Sequence, residues 1–168
     1  KTKNEIGRFF KPANLIYMWC WCITCPHCEQ RIPLTNHMYI VKTSNKKIGI
    51  KIIPKNKKFT IEIIPKISEV EGKKFTQKGG NVICISCKNS INSKIMTEDI
   101  SKNKNKEMVA IQIQKNKGRD YVSPTQEDKK LYQDAIKYFD SKKQEFKKEG
   151  LIPMEDIHAS HRRENTLW

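Results

Sequence analysis

Apolar positions change their spacing along this chain, and each change marks an element. From Leu15 to Ile23 every position is apolar, on both alternating sets: Leu15, Tyr17, Trp19, Trp21 and Ile23 on one, Ile16, Met18, Cys20 and Cys22 on the other. A short unbroken run rich in aromatic residues suits a strand buried on both faces, although the run alone does not separate it from a buried helix segment. Residues 1–14 are polar, contain Pro12 and read as an irregular lead-in, and "CPHCEQRIP" after the run reads as a turn. Farther on, Ile48/Ile50/Ile52 and Phe59/Ile61/Ile63 alternate with other positions, which predicts two strands joined by a hairpin loop over Pro54–Lys58. Gly79-Gly80 breaks the chain before a strand at Val82–Ile85, "SKNKNKE" is a polar loop, and "EMVAIQIQ" is a further strand ended by "KNKGRD".

The period then becomes helical. Leu131, Tyr132, Ala135, Ile136, Phe139 and Phe146 fall on one face at spacings of three, four and seven, which predicts an amphipathic helix docking on the domain. Thr125 is the expected N-cap with Asp128 three residues on; Glu127 and Asp128 suit the first turn, and lysines with Gly150 suit the end. The tail from Leu151 reads as loop, and His158 and His161 within it read as exposed residues rather than ligands. The fold class is therefore α+β, with a small antiparallel β-sheet and a long C-terminal amphipathic helix.

At 168 residues, the chain is long enough for one domain with its own core, so disulfides are not obligatory for stability. No stretch approaches the roughly 18 apolar residues of a membrane helix, and no secretory signal opens the sequence, which starts on Lys1. It reads as a cytoplasmic piece of a longer protein, with no membrane partner. Charge changes the picture more. Lys and Arg number 33 against 18 acidic residues, a net charge of +15. Between Gln30 and Ile61 there is no acidic residue, while Arg31, Lys42, Lys46, Lys47, Lys51, Lys55, Lys57 and Lys58 are all basic. Such a stretch suits nucleic-acid phosphates and a merely solvated face equally. Lysine dominates over arginine, so any binding is expected to be phosphate contact more than base reading.

Four of the six cysteines lie in "WCWCITCPHC", and "CISC" supplies Cys84 and Cys87. Two C-x-x-C pairs make four thiolates, the donor set of a structural Zn²⁺ site. In the first cluster Pro26 breaks the strand and makes Cys25-Pro-His-Cys28 a turn, whereas Cys22-Ile-Thr-Cys25 continues the strand. The expected ligands are therefore Cys25, Cys28, Cys84 and Cys87, with Cys20 and Cys22 as small strand hydrophobes. His27 sits inside the turn between two better donors. Two features depart from the common pattern: a 55-residue spacer between the pairs, and Glu29 and Lys88 where glycine often follows the second cysteine. A dithiol redox site is the lesser alternative; it needs a helix starting at the first cysteine, and Pro33 stands in the way. A disulfide framework lacks a secretory context.

These segments resemble the zinc-ribbon region of adenine-specific DNA methylases that contain a zinc ribbon. The family form W-x-x-T-x-x-C-P-x-C-G-x-x-I-P-L appears as Trp21-Cys-Ile-Thr-Cys-Pro-His-Cys-Glu-Gln-Arg-Ile-Pro-Leu34, with Glu29 replacing the glycine. The later K-G-R-x-Y-x-P-P-T appears as Lys117-Gly-Arg-Asp-Tyr-Val-Ser-Pro-Thr125. The resemblance covers about residues 15–168. It implies a zinc-ribbon β-domain over 15–122 with an inserted hairpin, the helix over 123–150, and a 151–168 loop leading into a downstream region. It also implies a parent enzyme that transfers a methyl group from S-adenosylmethionine to adenine N6 in DNA, a base that must leave the duplex stack to react. The family's F-x-G-x-G cofactor motif and [DNS]-P-P-[YFW] motif are both lacking from these 168 residues. The segment is then the ribbon, not the catalytic part, with a structural role; Lys42, Lys46, Lys47, Lys51, Lys55, Lys57 and Lys58 in the basic stretch are its candidate DNA phosphate contacts. The alternative is a stand-alone zinc ribbon that binds nucleic acid or acts as a scaffold.

Overall fold

In the computed structural model, residues 6–116 and 118–152 are described. His158, His161 and most of the expected 151–168 loop lie outside them. The chain divides into two compact units, one over Pro12–Pro124 and one joining the residues up to Lys11 with those from Thr125 onward.

The larger unit holds strands β1 (Asn14–Thr24), β2 (Arg31–Pro33), β3 (Tyr39–Lys42), β4 (Lys47–Lys55) and β5 (Lys58–Ile64), then the short helix α1 (Glu69–Gly72). Strands β6 (Gln77–Lys78), β7 (Asn81–Ile83) and β8 (Ser90–Ile91) follow, then helix α2 (Ser93–Asn103) and strands β9 (Lys106–Lys115) and β10 (Gly118–Val122). Three antiparallel sheets result, ordered β10-β9-β1-β2, β3-β4-β5 and β6-β7-β8. The fold is thus α+β with antiparallel sheets, as the periodicity predicts.

β1 is buried on both faces only at its far end. Cys22 and Ile23 are fully enclosed, but Leu15 and Ile16 are about half exposed. The hairpin of β4 and β5 is tighter than the expected five-residue loop. Asn56 and Lys57 alone make the turn, with φ of 45° and 62°, the left-handed pair that matches strand twist in a two-residue hairpin. One face of this sheet carries Ile48, Ile50, Ile52, Phe59, Ile61 and Ile63, and Ile50 packs with Met38 and Ile67 in a small core. Ile67 also closes over Gly49, where a Cβ would stand 2.4 Å from Ile67 Cδ1 and 2.5 Å from the Met38 carbonyl.

Three expectations change. Residues 101–103 of the supposed polar loop are the last turn of α2, capped by Asn92 and anchored by buried Met96 and Ile100. The strand at Val82–Ile85 ends at Ile83, since Cys84 already begins a turn. The chain does not stop being sheet at "KNKGRD" but returns as β10, in register with β9 from Gly118↔Lys115 to Val122↔Ile111.

In the smaller unit, helix α3 (Gln126–Lys148) starts at the reciprocal box expected of Thr125 and Asp128. Lys11 bridges Glu127 at 2.7 Å and Asp128 at 3.0 Å. Within the lead-in, the Phe9 N–H donates to the Ile6 carbonyl at 3.0 Å, and Arg8 lies 4.9 Å from the rings of both Phe9 and Tyr138. Along the apolar stripe Tyr132, Ile136 and Phe139 are 40%, 41% and 43% exposed. No helix among the described residues is long and apolar enough to cross a membrane.

Candidate metal centre

Two hairpins of the same design build the site. β1 runs into Cys25-Pro-His-Cys28 and returns as β2; β7 runs into Cys84-Ile-Ser-Cys87 and returns as β8. Each turn closes with the same bonds. The Glu29 N–H donates to the Cys25 carbonyl at 2.9 Å and the Cys25 N–H to the Gln30 carbonyl at 2.9 Å. The Lys88 N–H donates to the Cys84 carbonyl at 3.2 Å and the Cys84 N–H to the Asn89 carbonyl at 3.0 Å. Glu29 and Lys88 take φ of 59° and 64°. They occupy the left-handed position that glycine fills at no steric cost, so its absence does not prevent the turn.

Below each turn the core repeats as well. Ile23 and Val82 precede the first cysteine of each pair by two residues, and Ile32 and Ile91 follow the second by four. These four side chains pack with Met96 and Ile100 in one buried cluster that includes Cys25 and Cys84. The apolar-x-C-x-x-C-x-x-x-Ile pattern occurs twice in the sequence, and its apolar positions are the signal for this shared core.

The structure brings together the sulfurs of Cys25, Cys28, Cys84 and Cys87, all within 4.8 Å of one another. The Cys25–Cys87 and Cys28–Cys84 separations are 3.7 Å and 3.6 Å. Thiolates held at about 2.3 Å from a tetrahedral metal ion lie about 3.8 Å apart, so this donor set fits Zn²⁺ in number, chemistry and spacing. Cys25 and Cys84 are buried, while Cys28 and Cys87 reach the surface. Burial pushes the Cys84 thiol up to about 12, against the lowering effect of the Ser86 and Cys87 N–H groups. Burial also raises Cys25, while the Gln30 N–H leads in bringing Cys28 down to about 7. The turns thus offer N–H donors to sulfur, which favours the thiolate form that metals need.

Cys20 and Cys22 lie outside this cluster. Cys22 is buried in β1, its N–H donating to the Asn105 carbonyl at 2.9 Å. His27 is likewise outside the group of candidate ligands.

The register of the β3–β4–β5 sheet sorts the basic residues. Lys42 pairs with Lys47, Lys51 with Glu62, and Lys55 with Lys58. Positions 47, 51 and 55 alternate onto one face of β4, so Lys42, Lys47, Lys51, Lys55 and Lys58 share the face opposite Ile48, Ile50, Ile52, Ile61 and Ile63. Lys47 lies 3.9 Å from Glu69. Two of the seven expected phosphate contacts leave this face. Lys46 precedes β4 and reaches the Arg119 carbonyl at 3.4 Å, and Lys57 at the hairpin turn pairs with Glu29. That turn rests on the first cysteine hairpin: the Arg31 N–H donates to the Lys57 carbonyl at 2.8 Å and the Gln30 side-chain amide to the Lys58 carbonyl at 2.5 Å.

The fold and site define an α+β protein with a four-cysteine cluster that could hold one metal ion. Scans of protein-family models, curated proteins and solved structures return no match to the chain.

Proposed function

We propose that Cys25, Cys28, Cys84 and Cys87 hold one structural Zn²⁺, making the larger unit a zinc ribbon with the β3–β4–β5 sheet inserted between its knuckles. The observation that carries this reading is the sulfur geometry, two cross-pair separations of 3.7 Å and 3.6 Å at the ends of matched hairpins. Zinc so held contributes directly to folding, on the order of 10 kcal/mol of apparent binding free energy. The ribbon is a segment of an S-adenosylmethionine-dependent DNA adenine-N6 methyltransferase. Support for that step is the likeness of Trp21–Leu34 and Lys117–Thr125 to the methylase patterns. Cofactor binding and methyl transfer then belong to the rest of the methyltransferase chain, and the segment braces it and meets DNA.

Reading the genomic locus on both sides of Lys1 and Trp168 tests the enzyme assignment. A continuous frame with [DNS]-P-P-[YFW] and F-x-G-x-G motifs supports it; a frame closing at both ends overturns it. A second reading, a stand-alone nucleic-acid-binding ribbon, is favoured by the lysine face. Lys51, Lys55 and Lys58 make no ion pair among the described residues, which leaves them open to phosphates. On either reading, duplex affinity falls steeply with salt; negligible binding at low salt leaves only the structural role.

A further inference from the structure

The turn entering β4 and the β9–β10 turn border a cleft of 660 Å³, lined chiefly by Lys46, Gln114, Lys115, Gly118, Arg119 and Asp120. Three of these side chains are cationic and one is anionic. Lys115 and Asp120 neutralise each other at 2.5 Å. Lys46 and Arg119 remain, and neither makes an ion pair among the described residues. Lys46 spends one donor on the Arg119 carbonyl at 3.4 Å, which ties the two turns together and leaves its other donors open. The Gln114 amide braces the β9–β10 turn from within, donating to the Lys115 carbonyl at 3.0 Å and the Gly118 carbonyl at 3.3 Å. Gly118 has φ of 112°, and a Cβ there would meet nothing within 4 Å apart from its chain neighbours. Lys46 and Arg119 both line this cleft, and an ammonium and a guanidinium are donors suited to phosphate oxygens.

We propose that this cleft binds a backbone phosphate of the nucleic acid that lies along the lysine face, an inference that rests on the DNA-contacting reading above. Continuity argues for a polynucleotide. Lys46 adjoins Lys47, the end of the face that also carries Lys51, Lys55 and Lys58. From Lys55 to Lys47 the strand runs about 26 Å at ~3.3 Å per residue, the length of roughly eight base steps at ~3.4 Å each. Where Lys46 turns off that face, the cleft adds a site of different chemistry: an arginine where the sheet offers only lysine point charges.

The test uses the zinc-loaded 168-residue chain and a fluorescent duplex of about two helical turns, with binding measured across a salt series. Arg119→Ala and Lys46→Ala should each lower the slope of log K against log salt by about one. Arg119→Lys should recover the slope but not the full affinity, since the charge returns without the fork. Lys51→Ala with Lys55→Ala reports on the sheet face independently, and unchanged melting temperature and zinc content establish that each variant is folded. If the sheet variants weaken binding and the cleft variants leave slope and affinity unchanged, the cleft inference is overturned and the DNA reading stands. If the unaltered chain binds no duplex, both fall. If inorganic phosphate or a mononucleotide displaces duplex at submillimolar concentration in an Arg119-dependent way, the cleft serves a free phosphoanion, and the polynucleotide assignment is overturned.

Discussion

Replacing Cys84 by serine is the sharpest probe of the proposed metal centre. Cys84 is buried, its sulfur lies 3.6 Å from that of Cys28, and it belongs to the same apolar cluster as Ile23, Ile32, Val82 and Ile91. If a structural zinc contributes about 10 kcal/mol shared over four thiolates, losing one removes about 2.5 kcal/mol, or roughly 70-fold in metal affinity. That is a lower bound, because the three remaining ligands no longer enclose the ion. The whole net stability of a domain this size is about 5–15 kcal/mol, so a variant that no longer retains its metal should unfold. Zinc per chain by elemental analysis, with far-ultraviolet circular dichroism before and after chelator, reads both effects. The unaltered chain should hold one zinc and melt lower with chelator; Cys84→Ser should hold less than a tenth as much and show little cooperative melting. Cys22→Ala is the control: it lies outside the cluster, so it should keep its zinc. A Cys84→Ser variant that folds metal-free with an unchanged melting temperature would refute the reasoning.

Protons should compete with the metal. With Cys84 pushed up to about 12 and Cys25 also raised, both thiols are protonated at neutral pH without metal, whereas Cys28, near 7, is partly thiolate. Metal binding should then release protons, those of Cys25 and Cys84 among them. Affinity should fall as pH drops, and more steeply below 7 as Cys28 also takes up a proton. Competition with a chromophoric chelator across pH 6–8 measures this, and a pH-independent affinity would contradict it. Gly49→Ala should destabilise the inserted sheet by about 1–3 kcal/mol. Its new Cβ would stand 2.5 Å from the Met38 carbonyl, which already accepts the Ile50 N–H at 2.8 Å. Chemical denaturation measures this, and a change under 0.5 kcal/mol would show that the backbone there yields.

What the sequence made legible was local. Pro26 distinguishes Cys25-Cys28 from the overlapping Cys22-Cys25 because a turn and a strand demand different residues, and the structure gathers the sulfurs that this logic selects. The Thr125–Asp128 box is legible for the same reason: both partners lie within one turn. Elements that depend on distant contacts were not. In α2 only Met96 and Ile100 mark a buried face, and what they bury against is the Ile23–Val82 cluster, over ten residues away in sequence. β10 is short and polar at its start, and it is a strand because β9 offers it an edge. The lysines read as one undivided stretch, yet pairing register places five on one face and sends Lys46 and Lys57 elsewhere.

The bonds from Gln30 and Arg31 to the Lys57 and Lys58 carbonyls join the tip of the inserted hairpin to the turn that carries Cys25 and Cys28. The insert is consequently held at its far end as well as at its base. A loop anchored only at its base would have to lose its wandering at the moment of encounter with a ligand, and affinity would suffer by that ordering entropy. Here the ordering belongs to folding, so the spacing of the positive charges is set before any polyanion arrives. If the cysteine cluster holds a metal as proposed, its loss would leave every lysine in place chemically and yet turn a ruled array into a diffuse cloud of charge.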